Sequence, residues 1–316
     1  MILVIVGHCA ETPSAIKQWL YSFHMPLFFA LSGYTFRVQR YANRKQLLLA
    51  KLRTLIVPYF CLSVLLWLIC FVLRDRLHFT QTHMWQLAGI VLGWRMSKLY
   101  YSMWFILTLF FAEWILWELL RMARERTAVL ASFAVVFFLL GVMMAHFVKG
   151  FLWSLDVVPM ALAFLLIGYL LNRQNRDEKH FSAYPCLLIA WAVNILTAFL
   201  NSMPDLYMAE LGNPLWFALS ACSGIYGTLA LCVRLKKNRC LEYIGRNTMV
   251  YYAFQAALAL PAAAAFLRIA SKHLGVSIPS CVSFVLQTAM ACVLLALMSE
   301  CIRRFCPVLL GKKREG

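Results

Sequence analysis

The sequence is short of charge. Asp, Glu, Lys and Arg make up 14% of its 316 residues, where soluble domains carry about 25%. Acidic residues are scarcest, 13 against 30 basic ones. No polar stretch is long enough to fold alone, which excludes a separate soluble domain. The eleven Cys are scattered, mostly inside apolar segments, with no CxxC pair and no His/Cys spacing for zinc. They read as small buried residues, and neither a metal nor a bound cofactor is expected. The GxSxG elbow, HExxH and the phosphate-cradling GxxxxGK[ST] loop are all missing. Also missing is a basic n-region ahead of the apolar start, so a cleavable signal peptide is not expected.

What fills the chain instead is hydrocarbon. Hydrophobic residues make up 63% of it and the mean hydropathy is +0.73, which places the protein in a membrane. A bilayer core of about 30 Å takes about 20 apolar residues per helix. On that basis spans are expected near 20–36, 54–73, 100–120, 128–147, 152–171, 183–200, 213–233, 248–267 and 280–302. Met1 to His8 is apolar but too short to cross, and reads as the second half of a helix. Counting it gives about ten spans with the first one truncated. The expected fold is all-α, a polytopic transmembrane helical bundle forming a single membrane-embedded domain over 1–316.

The net charge of +17 does not mark a nucleic-acid binder, because the basic residues form short clusters between apolar runs. Loops after alternate spans hold 22 of the 30 Lys and Arg: Arg37 to Arg53, Arg121 to Arg126, Arg173 to Lys179, Arg234 to Arg246 and Arg303 to Arg314. Excess Lys and Arg marks the cytoplasmic side, so both termini are expected inside, in a bacterial plasma membrane. The longest opposite connection, 75–99 with Trp85, Trp94 and the adjoining Tyr100 and Tyr101, suggests a short interfacial helix or a lid. The polar break from Asn201 to Asp205 reads as a turn. No internal repeat is visible, which disfavours transporters built from duplicated halves.

Ionisable groups at membrane depth are costly and usually functional. With an inside start, His8 ends span one on the outward side, His24 lies a turn below the outer surface, and Asp156 and Trp104 open their spans from that side. An imidazole near neutral pKa suits a general base for a hydroxyl, and a carboxylate can fix its tautomer. His8 or His24 with Asp156 could thus deprotonate a substrate alcohol. Trp104, Glu113 and Gln255 are candidate substrate contacts, and Glu113 needs a partner or a proton at mid-membrane. Glu118, Glu242 and Glu300 read as partners of loop Lys and Arg. A multi-span transporter or flippase of a glycan or small solute is the alternative that these features leave open.

The opening stretch carries a resemblance. Val4-Ile5-Val6-Gly7-His8, then Phe23-His24-Met25-Pro26-Leu27-Phe28-Phe29 and Leu31-Ser32-Gly33-Tyr34, resembles the acyltransferase-3 family of membrane O-acyltransferases, closest to its fucose 4-O-acetylase-like branch. The likeness continues through Arg53-Thr54-Leu55-Ile56-Val57-Pro58-Tyr59, Trp104-Phe105-Ile106-Leu107, Asp156, Gly168-Tyr169-Leu170-Leu171 and Ile244-Gly245-Arg246-Asn247-Thr248. It implies transfer of an acetyl or other acyl group from cytoplasmic acetyl-CoA to a hydroxyl of a cell-surface or exported carbohydrate. It also implies a catalytic role for His8 and contacts to the CoA phosphates by Lys51, Arg53 and Arg37. The chain departs from the family pattern at Gln255, where relatives often carry a His, and at Ala50, where they often carry the first of two arginines.

Overall fold

A computed structural model describes residues 1–73, 75–94, 103–124, 126–174, 184–235 and 237–311. The expected residues Tyr100, Tyr101, Arg176, Lys179 and Arg314 lie outside the described ones. The regular elements are helical, apart from one isolated antiparallel bridge between Asp205 and Glu210. Helices are the economical answer here, because an α-helix satisfies every backbone N–H and C=O within itself where no water is at hand.

Among the described residues, six helical runs are long and apolar enough to cross a bilayer: Arg44–Leu73, Thr127–Phe147, Leu152–Gln174, Pro214–Arg234, Thr248–Leu274 and Ser280–Phe305. A shorter apolar helix runs over Tyr184–Leu200. Length and hydropathy alone therefore carry six spans rather than the ten that the sequence pattern suggests. The expected span at 20–36 departs most clearly. It is two helices, α2 (Ser14–Tyr21) and α3 (His24–Thr35), broken at Ser22 and Phe23.

The helices fall into two compact units by their contacts. The first comprises Met1–Leu20, Arg53–Met103 and Lys237–Gly316. It holds α1 (Ile2–His8), α5 (Val57–Leu73), α6 (Gln81–Leu92), α12 (Arg239–Arg246), α13 (Thr248–Phe254), α14 (Leu260–Leu274) and α15 (Ser280–Phe305). Helix α6 occupies the aromatic-rich connection, where a short helix was expected. Thr80 caps its first turn and His83 closes the box, with the His83 ring also 3.1 Å from Asp75 Oδ2. The Tyr59 hydroxyl ties α5 to α6 by donating to the Ile90 carbonyl at 2.9 Å.

Helices α13 and α14 form one run with a π-helical segment, Gln255–Ala259, between them. The five residues 275–279 turn the chain back into α15, so the pair is an antiparallel hairpin. Tyr251 of α13 sets its register, and Tyr243 of α12 adds a second tie to α15. Tyr243 donates to the Ala296 carbonyl and Tyr251 to the Cys292 carbonyl, each at 3.1 Å. A second π-helical segment, Leu52–Ile56, leads into α5. Arg53 within it donates from Nε to the Gly311 carbonyl at 2.8 Å.

The second unit, Tyr21–Leu52 and Trp104–Lys236, holds α3, α4 (Arg44–Lys51), α7 (Trp104–Met122), α8 (Thr127–Phe147), α9 (Val158–Gln174), α10 (Tyr184–Leu200) and α11 (Pro214–Arg234). Its centre is α9, which packs against α3, α7 and α8 and buries every residue from Val158 to Leu166. Lipid tails are as apolar as the side chains, so packing in a bilayer comes from close van der Waals fit, and small residues permit it. Gly33 of α3 and Gly168 of α9 show this reciprocally. A Cβ on Gly33 would overlap the Leu165 carbonyl oxygen, and one on Gly168 would overlap the Ala30 carbonyl oxygen. Asn194, fully buried on α10, donates to the Ser220 carbonyl of α11 at 2.8 Å.

Candidate active site

His8 closes α1, and the chain folds back over that end. The Thr12 hydroxyl donates to the Val6 carbonyl at 2.7 Å and the Lys17 ammonium to the Ala10 carbonyl at 3.3 Å. Cys9, fully buried, donates its thiol to Gln287 Oε1 of α15 at 3.3 Å. Gln287 in turn donates to Ser283 Oγ at 3.0 Å. Helix α1 therefore rests on α15, and it also packs against the Gln255–Ala259 segment. Gln287 lies seven residues into α15, about 10 Å along the axis at 1.5 Å per residue. The His8 end of α1 is thus sunk well below the start of α15.

His24, Trp104 and Asp156 are all buried, and all belong to the second unit. His24 begins α3 and meets Tyr21 edge-on, with ring centroids 4.9 Å apart. Trp104 begins α7 and lies 6.4 Å from the rings of both Phe29 and Tyr207. Asp156 precedes α9 and accepts from the Gly150 backbone N–H at 3.2 Å.

The basic candidates differ in how they are engaged. Lys51 Nζ is 2.6 Å from Glu113 Oε2, and both side chains are largely buried. Its ammonium also lies 5.4 Å from the Phe36 ring centroid and 5.7 Å from that of Tyr41. A phosphate would have to compete with a carboxylate already in place. Glu113 has found the partner that its depth requires. Arg37 and Arg53 are exposed, with Arg37 donating from Nη1 to Asn172 Oδ1 at 3.0 Å. Glu118, Glu242 and Glu300 each pair with a nearby base: Glu118 with Arg44 at 2.6 Å, Glu242 with Arg246 at 3.8 Å, and Glu300 with Arg303 at 2.7 Å.

Two features escaped sequence reasoning. One is an open cavity of about 640 Å³ in the second unit, lined by Asn43, Arg44, Lys45, Glu118, Arg121 and Met122. Its three cations outnumber its one carboxylate, so it suits an anion. In sequence they looked like topogenic charge. The other is the polar pair Gln287 and Thr288 in α15, both buried. The signal that singled out Gln255, a polar side chain inside an apolar run, was present there too.

A family model described as an acyltransferase domain, acyltransferase-3, matches residues 1–300. No match was found among curated proteins or among solved structures. The matched region takes in every helix named above except the last turn of α15. By that match the chain belongs to the acyltransferase-3 family, and it is a multi-pass membrane acyltransferase.

Proposed function

We propose that the protein is an O-acetyltransferase that takes an acetyl group from cytoplasmic acetyl-CoA and passes it to a hydroxyl of a cell-surface or exported carbohydrate. The observation that carries this reading is His8 itself. It is an imidazole at the end of a short apolar helix that packs on α15 and on the Gln255–Ala259 segment, in a chain matched to the acyltransferase domain almost throughout. His8 acts as the general base. It removes the proton from the acceptor hydroxyl as that oxygen attacks the thioester carbonyl, and returns it to the departing CoA thiolate. Acyl-CoA plus alcohol gives ester plus free thiol, with no other reactant.

The distribution of Lys and Arg supports cytoplasmic termini and a bacterial plasma membrane. An anionic donor then arrives on the side rich in guanidinium groups, which hold phosphates through paired N–H donors. Arg53, at the surface of the unit that holds His8, is the proposed phosphate contact. Lys51 acts indirectly, as the counter-ion of Glu113. His24 and Asp156, buried within the second unit, are given no part in the proton transfer.

The test uses membrane vesicles from cells expressing the protein, supplied with radiolabelled acetyl-CoA. Wild-type vesicles incorporate label into glycan. The His8→Ala and His8→Gln variants, inserted at equal level, fall by on the order of 100-fold or more. Full labelling by either variant refutes His8 as the base.

A further inference from the structure

Buried polar side chains in membrane helices nearly always find a partner, and those that do not call for an explanation. Gln255 is fully buried, and neither Oε1 nor Nε2 of its amide has a hydrogen-bond partner among the described residues. Thr288, 7% exposed, has a hydroxyl in the same condition. Several hydroxyls in these helices take the local option of donating to the carbonyl four residues back. Thr197 does so to Val193 and Ser299 to Leu295, each at 2.7 Å. Thr288 does not.

The hairpin register brings these two residues to one level. Tyr251 bonds to Cys292 across the pair. One turn further along the first strand of the hairpin is Gln255. One turn back along the antiparallel α15 is Thr288. Beside Thr288 is Gln287, which receives the Cys9 thiol from the end of α1. The level of the two orphaned groups is therefore the level at which α1 ends in His8 and Cys9. Gln255 also opens a π-helical segment, a local widening that proteins often place at functional sites.

We propose that Gln255 and Thr288 are the oxyanion-binding pair of the acyl transfer, a reading that rests on the function proposed above. The Gln255 N–H and the Thr288 O–H donate to the acyl carbonyl oxygen. As the acceptor oxygen attacks, the C=O π bond opens and that oxygen takes the charge. Collapse of the tetrahedral intermediate restores C=O, breaks the C–S bond and releases CoA thiolate, which is protonated by the His8 imidazolium. Donors held beforehand in a dry site stabilise such charge far better than water does, because they need no reorganisation. Gln287 is a positioning residue: both ends of its amide are engaged, and it anchors the helix that carries His8.

The experiment compares Gln255→Leu and Thr288→Val, which keep shape and remove the donor, with Thr288→Ser, which keeps it. Label transfer from radiolabelled acetyl-CoA is measured in vesicles, and melting temperature in detergent. Each donor deletion lowers kcat on the order of 100-fold and changes the KM for acetyl-CoA less than threefold. Melting temperature holds or rises, because an orphaned polar group has been replaced by an apolar one. Thr288→Ser keeps at least a third of the wild-type rate. Transfer within threefold of wild type in both deletions overturns the proposal, as does a loss of activity that tracks a loss of melting temperature. Wild-type vesicles that incorporate no label overturn the acetyltransferase reading itself, and this pair with it.

Discussion

Removing one member of the Lys51–Glu113 pair should cost more than removing both. The contact is 2.6 Å, and the side chains are 14% and 7% exposed, so neither group can recover hydration when its partner is lost. Breaking a buried pair from one side costs about 3–5 kcal/mol, whereas replacing both members by apolar residues of similar volume is often neutral or better. Lys51→Met and Glu113→Leu are therefore each expected to destabilise the protein by about 3–5 kcal/mol. The loss from Glu113→Leu falls toward the lower end, since the rings of Phe36 and Tyr41 continue to hold the ammonium by about 0.5–2 kcal/mol. The double variant should lie within about 1–2 kcal/mol of wild type, which makes the coupling energy at least about 4 kcal/mol. Thermal melting in detergent reads this directly, as a fall on the order of 10 °C in each single variant and near recovery in the double. Acetyl-CoA kinetics run alongside. If Lys51→Met melts like wild type while raising the KM for acetyl-CoA tenfold, the ammonium serves the donor and the structural reasoning fails.

The reciprocal glycine contact predicts that Gly33→Ala and Gly168→Ala each destabilise the second unit by about 1–3 kcal/mol or more. The added methyl meets a backbone carbonyl that has no rotamer in which to retreat, and the yield of monodisperse protein in detergent should drop accordingly. Gly311 has φ +66°, and a Cβ there would overlap the Arg53 carbonyl oxygen. Gly311→Ala should therefore loosen the segment around Arg53, seen as faster proteolysis near residue 311 with the melting temperature little changed.

Much of the helix layout was legible because lipid imposes a simple rule. An apolar run must be helical and must end where charge begins, so the expected spans at 128–147, 213–233 and 280–302 fall within a few residues of α8, α11 and α15. The break at Ser22 and Phe23 was missed although Tyr21, Ser22 and His24 lower the hydropathy there and Pro26 sits in the first turn of α3, because a window of span length averages over so short a dip. The two π-helical segments were hidden for another reason, since widening a turn changes backbone spacing but not composition. The likeness around Leu31-Ser32-Gly33-Tyr34 and Gly168-Tyr169 was visible as a motif, yet its physical content, two backbones in mutual contact, appeared only with the helices paired. Partnership was the least legible property. Nothing near Glu113 in sequence announces Lys51, and the alignment of Gln255 with Thr288 depends on a register set by the Tyr251 hydroxyl.

The layout of partners along the chain also bears on the order of assembly during synthesis. Helix α9 packs on α3, α7 and α8, all of which precede it, so the core of the second unit can close as soon as α9 leaves the ribosome. Helix α1 has the opposite arrangement. Its partners are the π-helical segment at 255–259 and α15, and the Cys9–Gln287 bond spans 278 positions. The helix that carries His8 therefore waits for some 278 further residues to be made before the surface it docks on exists. The proposed acyl-transfer site therefore forms only after α15 is made, and a ribosome that stalls before α15 leaves α1 without the surface it packs on.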